Sequence, residues 1–335
     1  MKSAPPPKIS VLLAVRNEAA HILNCLESLQ QLDYPDYEVW IGDDASSDET
    51  GRIVQEFILT RPQFHYRSIH TQLGQAQGKA NVLAHLAQEA GGEIWYFTDA
   101  DMVLPKHWLD SVHHFENQRV GMLTGLTLIK PVHVFAGVQA FDWALAQAQL
   151  RGAAYLGIGL SALGNNMAVR ASAYWATGGY AQFPFSITED FQLFQALRRQ
   201  GFHFVFDTHP ARLAFTQPAP DARAWLQQRL RWMQGAWQLP WGYRLAWAGI
   251  ALWPLFLLGL ALWDLGLALV LGLAKIIGQL WLAGTLLGRV RQKWLLIWAL
   301  PFECWSWGAH LYAGFHFFQK KPLIWKGRKY PPTPH

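Results

Sequence analysis

Between Gly249 and Leu287 the chain is almost wholly apolar, interrupted by Asp264, Lys275, Gln279 and a few small residues. That is enough for two membrane crossings, whereas the core helix of a soluble domain needs only about 10–14 such residues. Upstream of Leu239 charged and apolar segments alternate as they do in a soluble domain. The 335 residues therefore divide into an expected domain of soluble type, 1–238, and an expected membrane region, 239–335. A second apolar stretch, Trp294 to Phe318, contains Pro301, Glu303, His310 and His316, and is open to spanning, re-entering or lying in the interface.

The net charge of +5 could point to nucleic acid, but much of the basic charge flanks the apolar runs: Arg289, Arg291 and Lys293 on one side, and Lys320, Lys321, Lys326, Arg328 and Lys329 near the end. The positive-inside bias and anionic headgroups explain that placement better, so nucleic acid is set aside as a partner. Many of the 18 Trp lie in the second half, as interface anchors would. Met1 to Lys8 is proline-rich and short for a secretory signal, so the first domain is expected to be cytoplasmic, on a multi-pass protein of the inner membrane. Two crossings would return Arg289 to the cytoplasm. A full third crossing would export the basic tail, so Trp294 to Phe318 is expected to re-enter or lie flat, leaving the carboxyl terminus cytoplasmic. Cys25 and Cys304 support neither a disulfide framework nor a metal cluster.

In the first domain Ile9 to Val15 reads as a strand, followed by Arg16-Asn17-Glu18 and a helical pattern through Ile22, Leu23, Leu26 and Leu29. Tyr37 to Ile41 is a second strand ending at Gly42-Asp43-Asp44. Ser46 and Glu49 have capping-box spacing before a helix striped by Ile53, Val54, Phe57 and Ile58. Phe64 to Ile69 is a third strand, and Lys79 opens a helix to about Ala90. Val120 to Leu128 is a further strand, Phe135 to Leu150 a helix, Gly157 to Val169 a glycine-rich loop and Phe202 to Phe206 a strand. This alternation implies an α/β domain with a mostly parallel sheet.

Three short constellations carry chemistry. The apolar run from Ile94 ends in Asp99-Ala100-Asp101; at i, i+2 both carboxylates of an extended segment face one way, where Mg²⁺ or Mn²⁺ would relieve their repulsion, although a simple Asx turn also fits. Thr188-Glu189-Asp190 opens a helical pattern, where carboxylates complement the helix dipole. Ala222 to Gly235 places Gln228, Arg231 and Trp232 on one helical face, which could meet a ligand or lipid.

As a set these residues resemble the family 2 inverting glycosyltransferases with a GT-A fold, in the membrane-bound branch that includes cellulose synthase, hyaluronan synthase and ceramide glucosyltransferase. Asp43-Asp44-Ala45-Ser46-Ser47-Asp48, Asp99-Ala100-Asp101, Thr188-Glu189-Asp190 and Gln228 to Trp232 look like four family elements in the family's order. The likeness covers about Lys8 to Gly235, and the membrane tail in character only. Ala45 stands where the family has Gly and Val15 where it often has Pro, and no counterpart is expected for the helical segment preceding the domain in several relatives. The resemblance implies a Rossmann-like nucleotide-diphospho-sugar domain with a helical membrane region. It implies a donor pocket of Ala14, Glu18, Asp44, Lys79, Asp99, Gln228 and Arg231, a metal on Asp101 and Asp99, Asp190 as base with Glu189 beside it, and Trp232 toward the acceptor. The expected reaction moves a hexose from a nucleotide diphosphate-sugar, a UDP-sugar foremost, to a lipid. A processive polysaccharide synthase and a catalytically silent membrane adaptor are the alternatives; few expected spans weigh against the first and the intact carboxylates against the second.

Overall fold

The computed structural model describes residues 5–237, 241–319, 322–326 and 328–330. The expected boundary at 238/239 and the basic residues Lys320 and Lys321 lie outside these. The chain divides into two compact units, Met1–Leu128 with Leu150–Gln217, and Ile129–Gln149 with Pro218–His335.

The first unit is built on β1 (Ile9–Val15), α1 (Ile22–Gln30), β2 (Tyr37–Asp43), α2 (Thr50–Ile58), β3 (Phe64–Ser68), α3 (Lys79–Glu89) and β4 (Ile94–Thr98). There follow β5 (Val120–Gly125), β6 (Thr127–Ile129), α4 (Val134–Tyr155), whose residues are divided between the units at Gln149, β7 (Asn166–Arg170), α5 (Ala171–Ala176), α6 (Glu189–Arg199), β8 (His203–Asp207) and β9 (Ala214–Thr216). Seven strands form a sheet ordered β3-β2-β1-β4-β7-β5-β8. Its first four strands are parallel, as are β5 and β8. Unbroken apolar runs suit strands covered on both faces. Ile22, Cys25, Leu26 and Leu29 of α1 pack with Val11, Leu13 and Ile41, while Val82 and Leu86 of α3 lie so close to β2 that a Cβ on Gly42 would meet Val82 at 2.4 Å. Full burial of side chains such as Trp95, Phe97 and Leu12 stabilises the unit by about 1.5–3 kcal/mol each.

Three local expectations are corrected. The stretch expected as a loop up to Val169 ends instead in β7, which runs antiparallel between β4 and β5. The strand expected over Val120 to Leu128 breaks at Leu126, whose carbonyl accepts from Ala214 N (3.1 Å) and from the buried amide of Asn166 (3.1 Å). Ser46 and Glu49 form no capping box: Glu49 makes no side-chain cap bond, Ser46 Oγ accepts from Asn17 N (3.0 Å), and Asp48 accepts from Thr50 N (3.0 Å) and Ala19 N (3.1 Å).

The second unit contains the start of α4, then α7 (Ala222–Ala236), α8 (Trp241–Ala261), α9 (Leu265–Arg289), α10 (Ala299–Phe318) and a small antiparallel pair, β10 (Leu323–Trp325) and β11 (Arg328–Tyr330). Trp225, Leu226 and Met233 of α7 form a core with Ala309, Ala313 and Phe317 of α10. Asp221 and Asp264 cap α7 and α9 by accepting from Ala224 N and Leu267 N. Among the described residues α9 is the helix long and apolar enough to cross a membrane; the apolar part of α8, Ala248–Ala261, is shorter. Leu269, Leu273, Ile277 and Trp281 of α9 are exposed. Trp294 to Phe318 forms a short 3-10 turn leading into the continuous helix α10, whose third residue is Pro301, a first-turn position where a missing N–H costs nothing.

Candidate active site

The parallel register sets Val15 beside Asp43 and Leu13 beside Thr98, so the chain ends of β1, β2 and β4 open on one edge of the sheet. This is the edge at which open α/β sheets bind ligands. Ala14 is partly exposed there, and the loops after β1 and β2 are fastened together. Asn17 Oδ1 accepts from Ser47 N (2.9 Å), Glu18 N donates to Thr50 Oγ1 (2.7 Å), and Arg16 donates to the carbonyls of Asp44 and Ala45. The Arg16 guanidinium is 4.0 Å from Asp44 Oδ2. Ala45 has φ +51°, the left-handed conformation that glycine adopts at no steric cost. The backbone the family's Gly would favour is thus kept, with a methyl group added.

Asp99 and Asp101 follow β4 directly. Lys79, at the first position of α3, donates to Asp99 Oδ1 at 2.6 Å and lies 3.1 Å from Glu189 Oε1. A cation at a helix N-terminus opposes the helix dipole, so the carboxylates account for its position. Burial pulls the Lys79 ammonium toward neutrality, but Asp99, Glu189 and Asp190 outweigh it and hold its pKa above the usual range. Asp101 accepts from Thr216 Oγ1 of β9 at 2.9 Å. Burial, then the charges of Asp99 and Glu18, push its carboxyl up to about 6.

Asp190 lies in the first turn of α6, accepting from Phe191 N (2.8 Å) and, across the chain, from Gly164 N (2.8 Å). A Cβ on Gly164 would come within 2.8 Å of the same carboxylate, so this approach requires glycine. Burial and neighbouring Glu189 push the Asp190 carboxyl up to about 6, against the opposing pull of Lys79. Two accepted bonds leave lone pairs on an oxygen set that offers about four sites, and the residue is partly exposed. A group so placed can take a proton from a hydroxyl near neutral pH.

Of the sequence candidates, Lys79, Asp99, Glu189 and Asp190 are drawn together, with Asp101 beside Asp99 and Glu18 near enough to raise it. Gln228, Arg231 and Trp232 belong to α7 of the second unit. There Trp232 packs against Trp143 (4.8 Å between rings) and under the Arg229 guanidinium (4.3 Å), which pairs with Asp142. Thr216 and Gly164 escaped sequence reasoning. Gly164 stood in a glycine-rich stretch, but Thr216 carried no local signal. No group of three or more His, Cys, Asp or Glu among the described residues could form a metal cage. Asp99 and Asp101 nevertheless fit a hard cation that keeps waters and takes phosphate oxygens, which needs only one or two carboxylates.

The model of glycosyl transferase family 21 matches residues 1–332. The chain belongs to this family. It is 29% identical over 242 residues to the beta-monoglucosyldiacylglycerol synthase of Synechocystis sp., covering 70% of this chain and 49% of that protein. It is 27% identical over 238 residues to the poly-beta-1,6-N-acetyl-D-glucosamine synthase of Staphylococcus epidermidis, 68% and 54% of the two chains. The family 21 chain thus spans about half the length of the curated relatives it matches. Among solved structures, the mannosyltransferase from Pyrobaculum calidifontis in complex with GDP-Man and Mn²⁺ is similar, with TM-score 0.56 and 20% identity over 91% of this chain and 90% of that one, a likeness of fold.

Proposed function

We propose that this protein is an inverting glycosyltransferase that moves a sugar, from a UDP-sugar foremost, to the hydroxyl of a lipid. The observation that carries the reading is the convergence of Asp99, Glu189 and Asp190 on Lys79 at the carboxyl edge of the sheet, with Asp101 beside them. Ala14, Glu18 and Asp44 line the nucleoside side of the edge, and Lys79 faces the diphosphate. Asp101 and Asp99 would hold Mg²⁺ or Mn²⁺, which would supply charge neutralisation for a departing diphosphate. Asp190 takes the acceptor proton, and Glu189 keeps its pKa high enough for that task. A base on the side opposite the leaving diphosphate gives inversion, so an α-linked donor yields a β-glycoside. The resemblance assigns Gln228 and Arg231, on α7 of the second unit, to the pyrophosphate and Trp232 to the acceptor. A GT-A catalytic domain over 1–238, cytoplasmic, and a multi-pass inner-membrane region over 239–335 complete the reading; the exposed apolar face of α9 and the lipid named for the Synechocystis relative support association with a membrane.

The polymer-making relative from Staphylococcus epidermidis favours a second reading, a processive synthase. Purified protein in lipid vesicles, incubated with a panel of radiolabelled nucleotide sugars and membrane extract, separates the two. Label in a lipid carrying one sugar is expected; label in a long polymer supports the alternative, and no label from any donor overturns both. Excess EDTA is expected to abolish transfer and added Mn²⁺ to restore it, whereas full turnover in EDTA removes the metal from the account.

A further inference from the structure

Beyond the site, the first unit presents one cluster of exposed apolar side chains in consecutive sequence. At the end of α4, Tyr155 is 88% exposed, Leu156 73% and Ile158 39%. Gly157 between them has φ +75° and nothing within 4 Å of where a Cβ would stand, so the chain turns in open space with its large side chains outermost. Past this tip the chain is tied to α6 twice. Arg198 donates to the Gly159 carbonyl at 2.8 Å, and Gly164 N donates to Asp190 at 2.8 Å. The tip is therefore an exposed apolar turn whose returning loop meets the proposed base at Gly164.

We propose that Tyr155, Leu156 and Ile158 form a lipid-surface docking tip that seats the carboxylate edge against the bilayer from which the acceptor comes. The docking itself does not depend on the reaction; its role in presenting the acceptor rests on the lipid-acceptor reading above. Charge selects a membrane over a protein or a second copy as occupant. No Asp or Glu occurs between Asp142 and Glu189, while Arg151 lies one helical turn before the tip and Arg198 and Arg199 are exposed on α6. Apolar and aromatic side chains rimmed by guanidinium groups match the interface of a bilayer containing anionic lipid, where rings and aliphatic groups sit at headgroup level and arginines meet phosphates. Leu59, at the end of α2, is 81% exposed but stands alone and serves as the contrast.

The test uses the full chain in vesicles of phosphatidylcholine and phosphatidylglycerol, without native cysteines (Cys25→Ala, Cys304→Ser), bearing one bimane label at Leu156→Cys, Ile158→Cys or Leu59→Cys. Nitroxide placed on the lipids near the headgroup is expected to quench labels at 156 and 158 at least threefold more than the label at 59. Aqueous iodide is expected to show the reverse order. Equal quenching by lipid nitroxide at all three positions overturns the proposal; so does a label at 156 shielded from both quenchers, which means a protein covers the tip. Lipid quenching in a protein that transfers no sugar keeps the docking tip and breaks the lipid-acceptor reading, whereas sugar transfer to lipid without quenching does the opposite. In the transferring enzyme, Leu156→Ser with Ile158→Ser is expected to raise KM for a long-chain acceptor about tenfold and leave a short-chain, water-soluble acceptor unaffected; equal effects on both overturn the acceptor-presenting role.

Discussion

In the first unit Asp99, Glu189 and Asp190 gather on the ammonium of Lys79 while Asp101 and Glu18 crowd alongside; in the second, Glu303 receives Lys275 on both its oxygens, at 2.7 and 2.6 Å, and Asp142 takes Arg229. The chemistry at stake differs accordingly. Burial and crowding by neighbouring carboxylates raise the pKa values of Asp101 and Asp190, and a surplus of this kind takes up a cation or a proton, which is what binding and proton transfer need. Charges closed pairwise between helices satisfy one another and hold the helices in register. On the proposed reading, the surplus at Lys79 belongs to the reacting groups, and the closed pairs at Lys275 and Arg229 belong to the framework.

Removing the carboxylate of Asp190 should break the first half of this comparison most severely. Asp190→Asn retains an oxygen for the Gly164 N–H but cannot accept the acceptor proton. The rate of transfer is expected to fall by about 10²–10⁴-fold, the scale of general-base removal, with donor binding by calorimetry intact. Lost donor binding with substantial residual transfer would make Asp190 a binding residue instead. The second half is tested by Lys275→Leu, which strands the buried Glu303 and should cost about 3–5 kcal/mol in denaturant unfolding, with Lys275→Leu plus Glu303→Leu recovering most of it. If the double variant is as unstable as the single one, the pair is not what joins α9 to α10. The smallest effect belongs to the backbone between the two loops. Ala45→Gly relieves a left-handed alanine whose conformation costs about 1–2 kcal/mol, offset by the added freedom of glycine in the unfolded chain, so a net gain of up to about 1 kcal/mol is expected in the same measurement.

These contrasts were unequally visible in the sequence. The strands Ile9–Val15 and Ile94–Thr98 and the start of α3 at Lys79 could be read because continuous apolar runs and a shift of period are local signals. The strand β7 was hidden: Asn166 to Arg170 is short, follows glycine and asparagine, and becomes a strand through pairing with β4 and β5. Asp99, Asp101, Glu189 and Asp190 were recognisable as a motif set. Their electrostatic hub was not, since Lys79 meets Glu189 across 110 positions, and no periodicity reports a contact at that range. The same holds for Thr216 on Asp101 and Arg229 on Asp142. Ser46 had the spacing of a cap, but the loop geometry turned it toward Asn17.

The central claim, that surplus negative charge tunes the base, is tested most directly by the pH dependence of single-turnover transfer in the unaltered protein and in Glu189→Gln. The Asp190 carboxyl must be deprotonated to act. With its pKa pushed up to about 6 by burial and by Glu189, transfer is expected to be full above that pH and to fall tenfold per unit below it. Removing the charge of Glu189 takes away repulsion and leaves Lys79 to Asp99 and Asp190, and both changes favour the ionised base. The acid limb of Glu189→Gln is therefore expected to move to lower pH. An acid limb that stays in place, or moves upward, would contradict the account.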